Sequence, residues 1–330
     1  MASRFRAQAS RMLAAFLLCL PAIGCSMTSA TQVRFETVVL AGEPTATVHL
    51  AYASGIVGRH PVILMTGSLK DGELPGWSTG LVGEGFMLAA FTVAHPPDPD
   101  PERRPQWLVF DERFAHGYSV GGARAPGDTA RVIDYLVARG DVAPGKIGWL
   151  GSSSTGIPGL AVAAREPRLA AIVAFVSTGA YRMWFDTWKT NGLWCGKSSG
   201  IWPDTDLLLK ENDPIHHVDG LFPTAVLLVC GGRDKVVDPS TSRAFVEAAE
   251  PYYRSDPARL RLVVYENFAH NLPPDVVRMH AEHWFRLYMN PVTLPPKPAP
   301  EPTDGVKATT ESVRRTQINA ADHREVVGVK

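Results

Sequence analysis

This chain is short of three things that often announce a function: an excess of one charge, paired cysteines, and an apolar run of membrane length. Lys plus Arg and Asp plus Glu both number 33, so the formal charge is zero and there is no basic footprint for a nucleic-acid backbone. The four cysteines are Cys19, Cys25, Cys195 and Cys230, and no two have the spacing of a zinc site. Cys230 closes an apolar run and reads as a small buried residue. A Cys195–Cys230 bridge would need an oxidising compartment, and the sequence alone leaves it open. The run from Met12 to Leu20 is too short for a comfortable bilayer span. No internal repeat is evident. What remains is ordinary globular material, 330 residues at 45% hydrophobic and 20% charged, enough for one large domain with extensions.

Residues 1–30 have the order of an export signal. Arg4, Arg6 and Arg11 precede the apolar run, and Pro21 and small residues follow it. Ala22-Ile23-Gly24-Cys25 resembles a bacterial lipobox, which would make Cys25 a lipidated first residue and a membrane anchor. Thr28-Ser29-Ala30 fits ordinary signal cleavage and soluble export. An apolar helix that stays attached is the third reading. The expected location is the bacterial periplasm, the outer membrane as a lipoprotein, or the exterior.

Residues 31–290 alternate apolar runs with helical patterns. Val33–Leu40 and Ala46–Tyr52 read as an opening antiparallel pair, and His60–Met65, Phe86–Val93 and Leu169–Val176 as buried strands. Strands of this kind belong to a parallel sheet covered on both faces. Ser78–Gly85, Gly127–Arg139, Asp238–Glu250 and Asp275–Met289 carry helical spacing. His95–Pro126, rich in Pro and Gly, reads as an irregular loop, and 181–223 as an insertion. Pro291 to Pro302 holds six prolines in twelve residues, and 291–330 reads as a Pro-rich disordered tail.

The stretch Gly151-Ser152-Ser153-Ser154-Thr155-Gly156 joins the strand-like Lys146–Leu150 to an Ala-rich helical run. A serine in such a corner sits on a tight turn with its hydroxyl exposed and helix N–H groups aimed at it, the geometry of a nucleophile elbow. Two partners follow, each past a strand-like run: Asp234 in Gly231-Gly232-Arg233-Asp234 and His270 in Asn267-Phe268-Ala269-His270. Taking Gly151 as the first motif glycine makes Ser153 the nucleophile and puts Thr155 where a second glycine is usual. Choosing Ser154 restores Gly156 but puts Ser152 in the earlier glycine position. Ser153 is the favoured choice, with Ser154 open. Asp238 is the rival acid, though it opens a helix and suits an N-cap.

The elbow, Asp213-Pro214-Ile215-His216-His217-Val218, and the Asp and His loops together resemble alpha/beta-hydrolases of the dienelactone-hydrolase and prolyl-oligopeptidase type, over about residues 31–290. The order Ser, Asp, His is that of the triad in this superfamily. The resemblance implies an α/β fold: a mostly parallel, doubly wound sheet with helices on both faces and a short aromatic-rich cap insertion. It implies catalysis by Ser153, Asp234 and His270 without cofactor or metal, and an oxyanion hole from the Ser154 N–H and a backbone group at Ser68 or Leu69. His280 and His283 share a helix face, but no third metal ligand is evident.

The insertion carries Trp184, Trp188 and Trp194. They read either as a cap lining a substrate pocket or, since Trp184 and Trp188 are i,i+4, as the packing face of a helix. Arg103-Arg104 reads as a solvated loop. The expected function is an exported serine hydrolase cleaving small-molecule carboxylic esters through an acyl-enzyme. A peptidase of prolyl-oligopeptidase type, an acyltransferase or thioesterase, and a non-catalytic binding protein are the alternatives; oligomeric state is left open.

Overall fold

The computed structural model describes residues 32–290, apart from 57, 70–72 and 107, together with 316–318. The strands are β1 (Val33–Leu40), β2 (Ala46–Ala53), β3 (His60–Thr66), β4 (Met87–Val93), β5 (Val142–Ser152), β6 (Leu169–Phe175), β7 (Ala225–Gly231), β8 (Leu260–Tyr265) and β9 (Thr316–Ile318). They form one sheet in the order β1-β2-β4-β3-β5-β6-β7-β8-β9. β2 runs antiparallel to β1 and β4, and every pairing from β4 onward is parallel. The helices are α1 (Thr79–Gly83), α2 (Glu112–Ala138), α3 (Gly156–Ala163), α4 (Tyr181–Thr190), α5 (Pro203–Asn212), α6 (Pro239–Ala249) and α7 (Pro274–Met289).

The central strands are apolar on both faces because both faces are covered. On one side Val62, Leu64, Val226 and Leu228 pack with Val132, Ile133 and Leu136 of α2, Leu160 of α3 and Phe245 of α6. On the other, Ile63, Leu227 and Val229 pack with Leu81 of α1 and Val276, Trp284 and Phe285 of α7. Period-2 alternation divides each strand between two cores, giving the doubly wound architecture expected from sequence.

Two expectations need correction. The irregular loop expected over His95–Pro126 gives way to helix at Glu112. Gly117, Gly121, Gly122 and Pro126 lower intrinsic helix propensity, but the Asp111 side chain caps the helix by accepting from the N–H groups of Arg113 and Phe114 at 3.1 and 3.0 Å. Packing of Val132, Ile133 and Leu136 then overrides propensity. Within the expected disordered tail, Thr316–Ile318 pairs parallel with β8, whose outer edge offers unpaired N–H and C=O groups. The rest of 291–330, and the expected export segment 1–30, lie outside the described residues. No helix among the described residues is long and apolar enough to cross a membrane.

Candidate active site

Chain direction places the site. β5, β7 and β8 run parallel, so the loops after them emerge at one edge of the sheet. Ser153 follows β5 immediately, and its φ is +50°, a left-handed conformation that costs a non-glycine residue about 1–2 kcal/mol. The turn is tight: a Cβ at Gly151 would lie 2.4 Å from the Thr155 carbonyl oxygen, so only glycine fits there. Thr155 is accommodated because its hydroxyl works within the turn. Its Oγ1 accepts from Ser152 N–H at 2.8 Å and donates to the Ser152 carbonyl at 3.0 Å.

The loops after β7 and β8 are tied to each other before they meet the serine. Gly232 N–H donates to Tyr265 O at 2.8 Å and Arg233 N–H to Phe268 O at 2.9 Å. The Asp234 side chain is buried; its Oδ1 accepts from the N–H groups of Val236 and Val237 at 2.8 and 3.0 Å. That leaves Oδ2 for His270 Nδ1 at 2.8 Å. With the ring proton on Nδ1, Nε2 accepts from Ser153 Oγ at 2.9 Å. The structure thus brings Ser153, His270 and Asp234 into one continuous relay, with the histidine side chain 26% exposed at its mouth. Asp238 is elsewhere, capping α6 through Ser240 N–H at 3.0 Å.

Of the residues expected near the oxyanion, Ser68 is exposed and Leu69 buried. The preceding Gly67 N–H is engaged with Phe91 O at 2.8 Å. A cavity of about 630 Å³ abuts this loop and the elbow; Thr66, Gly67 and Ser154 line it, with Phe114, Tyr118 and Tyr181. Burial pushes the Tyr118 phenol up to about 12, opposed by a hydrogen bond with Ser154, so Tyr118 is neutral at ordinary pH. The tryptophans expected at a pocket are placed differently. Trp184 and Trp188 are buried in a cluster with Phe114, Tyr181 and Phe185, and half-buried Trp194 stacks on Trp188 at 6.4 Å between centroids. None of the three lines this cavity. Their i,i+4 face packs inward, and Trp184 Nε1 donates to Val236 O at 2.6 Å, bracing the loop that carries Asp234. The insertion reaches the cavity through Tyr181, which lies against α2 where a Cβ at Gly122 would come within 2.5 Å of its ring.

Solved structures share this architecture. A chain from a study of two prolyl endopeptidases superposes with a TM-score of 0.57 at 18% identity, over 79% of this chain and 39% of its own. A puromycin-hydrolysing peptidase of Mycobacterium tuberculosis gives 0.57 at 16% identity, over 79% and 40%. A Klebsiella pneumoniae chain assigned as a dienelactone hydrolase gives 0.53 at 16% identity, over 78% and 100%. The fold is that of the alpha/beta-hydrolases. This chain spans about two fifths of the two peptidases' length. The family model of X-Pro dipeptidyl-peptidases of the S15 family matches residues 116–250, less than half of the chain. No curated protein matches it.

Within this fold the remaining sequence candidates have structural roles. Asp213, buried, accepts from the N–H groups of Tyr181 and Arg182 at 2.9 and 2.8 Å and so fixes the start of the insertion. His280 accepts from Tyr265 Oη at 3.0 Å. Among the described residues no cluster of His, Cys, Asp and Glu could hold a metal. Cys195 and Cys230 are free thiols, one exposed and one buried. Arg103 departs from the solvated-loop reading: it lies over the Trp202 ring at 4.7 Å and pairs with Asp204 at 2.5 Å, strapping the 95–111 loop to α5. Sequence reasoning missed Tyr118 because it fell in the stretch taken for loop.

Proposed function

We propose that this protein is a serine hydrolase that cleaves carboxylic esters through an acyl-enzyme. The observation that carries the reading is the relay Ser153–His270–Asp234, at 2.9 and 2.8 Å, with its serine held at φ +50°. Ser153 Oγ attacks the ester carbonyl carbon as His270 Nε2 takes its proton; a hydroxyl is a poor nucleophile without such a base. Asp234 holds the imidazole tautomer and stabilises the imidazolium. The Ser154 N–H and a backbone N–H at Ser68 or Leu69 would receive the developing oxyanion. Collapse expels the alcohol with the proton held by His270. Water, activated by the same histidine, then releases the acid and restores Ser153.

The ester reading is supported by the apolar cavity at the elbow and by the superposition that covers all of the dienelactone-hydrolase-like chain. The second reading, a peptidase, is favoured by the S15 match over residues 116–250. Turnover of chromogenic esters beside matched anilides, including an X-Pro anilide, separates them. Labelling by a fluorophosphonate tests the hydrolase reading itself: wild type should label and Ser153→Ala should not. Faster hydrolysis of the X-Pro anilide than of every ester would make the peptidase reading the right one.

A further inference from the structure

The backbone of the elbow turn is bonded by Thr155, whose hydroxyl takes the Ser152 N–H and reaches the Ser152 carbonyl. The Ser154 hydroxyl finds its partner outside the turn, on α2. That partner is the phenol of Tyr118, and the two residues stand together on the cavity wall. Tyr118 is held from two further sides. Its ring lies 4.8 Å from that of Phe114 and meets Trp184 edge-on at 5.1 Å and 86°. A phenylalanine would pack there as well, whereas a phenol in such a cluster costs free energy unless its oxygen is bonded. The hydroxyl has its use at Ser154.

Position matters at this residue. Ser153 sits at φ +50°, and a strained conformation persists only where its surroundings over-determine it. Gly151 fixes the turn from before the serine, through its close approach to Thr155. Ser154 is the first residue after it, and its N–H is the group that the reading above gives to the oxyanion. Donors of that kind speed a reaction because they are aimed beforehand. The indole that braces Tyr118 also serves the acid. Trp184 Nε1 donates to Val236 O at 2.6 Å, and the N–H groups of Val236 and Val237 hold Asp234 Oδ1 at 2.8 and 3.0 Å. Tyr118 and the loop carrying Asp234 lean on one ring.

We propose that Tyr118 is a positioning residue of this site: its hydroxyl fixes Ser154, and so aims both the Ser153 hydroxyl and the Ser154 N–H, from a wall that Trp184 ties to the acid loop. The inference rests on the serine-hydrolase reading above, whether the bond cleaved is an ester or an amide. Tyr118 touches no reacting atom in this role and transfers no proton. It keeps the turn in register with His270, so its loss should appear in turnover and not in substrate affinity.

Tyr118→Phe keeps the ring and removes only the oxygen. On the better substrate of nitrophenyl butanoate and an X-Pro nitroanilide, kcat should fall about tenfold with KM within about twofold. The affinity for a boronic acid, whose adduct on Ser153 carries the tetrahedral charge, should fall by the same factor as kcat/KM. The melting temperature should drop by no more than about 4 °C, the effect of one neutral hydrogen bond. Ser154→Ala should reproduce the loss, and the double variant should match the slower single within about twofold. A wild-type kcat in Tyr118→Phe would overturn the proposal. So would a loss confined to KM, full additivity with Ser154→Ala, or a fall in melting temperature of about 10 °C or more. Wild type that labels with fluorophosphonate and turns over substrate beside an equally fast Tyr118→Phe sinks this inference alone. Wild type that neither labels nor turns over either substrate sinks the hydrolase reading with it.

Discussion

At Ser153, geometry and reactivity pull against local comfort. The three adjacent serines could not be ranked conclusively by motif spacing, because Gly151 favours Ser153 and Gly156 favours Ser154. In the structure it is Ser153 whose Oγ lies 2.9 Å from His270 Nε2, and the Thr155 hydroxyl bonds the Ser152 N–H and carbonyl and so lets a β-branched residue sit where a second glycine is usual. That contact depends on the folded turn and has no signature in spacing. Ser153→Ala and His270→Ala should each lower kcat by about 10⁴-fold or more with folding intact, as read by steady-state rates and circular dichroism. The strained φ gives a second expectation. Ser153→Gly should be about 1 kcal/mol more stable than Ser153→Ala, because glycine adopts φ +50° without a Cβ clash. Equal urea midpoints for the two would mean the turn is not strained.

At the scale of elements, most strands were legible to within a residue or two because buried parallel strands are short unbroken apolar runs. β3 and β6 were read within one residue, and β1, an antiparallel edge strand, was read with the bounds the structure gives it from its alternation. α2 was half legible. Its apolar spacing after Gly127 was visible, while its glycine-rich first half, the part lining the cavity, read as loop. Small residues there serve a void and a close approach to Tyr181, and periodicity cannot report an empty space. The aromatic insertion was legible as either of two things, and burial separates them. Trp188 is 0% exposed, touching Phe110, Phe114, Trp184 and Phe185. Trp188→Ala should cost about 3–5 kcal/mol of stability and lower turnover of small and bulky esters alike. A selective loss on bulky esters with an unchanged melting temperature would return α4 to the role of a substrate cap.

For the molecule as a whole, pH acts through partly buried histidines. Burial, then the charges of Arg261 and His283, push His280 down to about 3 from 6.5; burial lowers His116 and His283 as well. The unfolded chain therefore binds a proton at His280 below about pH 6.5 that the folded chain refuses until near pH 3. Stability from this group is present above 6.5 and is lost as pH falls through that window. His280→Leu should flatten the fall by up to about 1.4 kcal/mol per pH unit between pH 6 and 4, measured by urea unfolding at each pH; parallel slopes for the two proteins would contradict it. The N-terminal expectation belongs to this scale too. If Cys25 is lipidated, the protein should partition with membranes and Cys25→Ala should not; a mature chain beginning at Thr31 would establish soluble export instead.

Ser153, Asp234 and His270 all leave the sheet from the ends of β5, β7 and β8, whereas the connection entering β3, with Ser54, Gly55, Ile56 and Gly58 exposed, turns at the opposite rim. The candidate triad lies at one rim and this exposed connection at the other. A flexible tether grafted between Ser54 and Gly55 would hold the catalyst on a bead with its mouth facing the liquid, and immobilisation there should leave substrate entry as free as in solution.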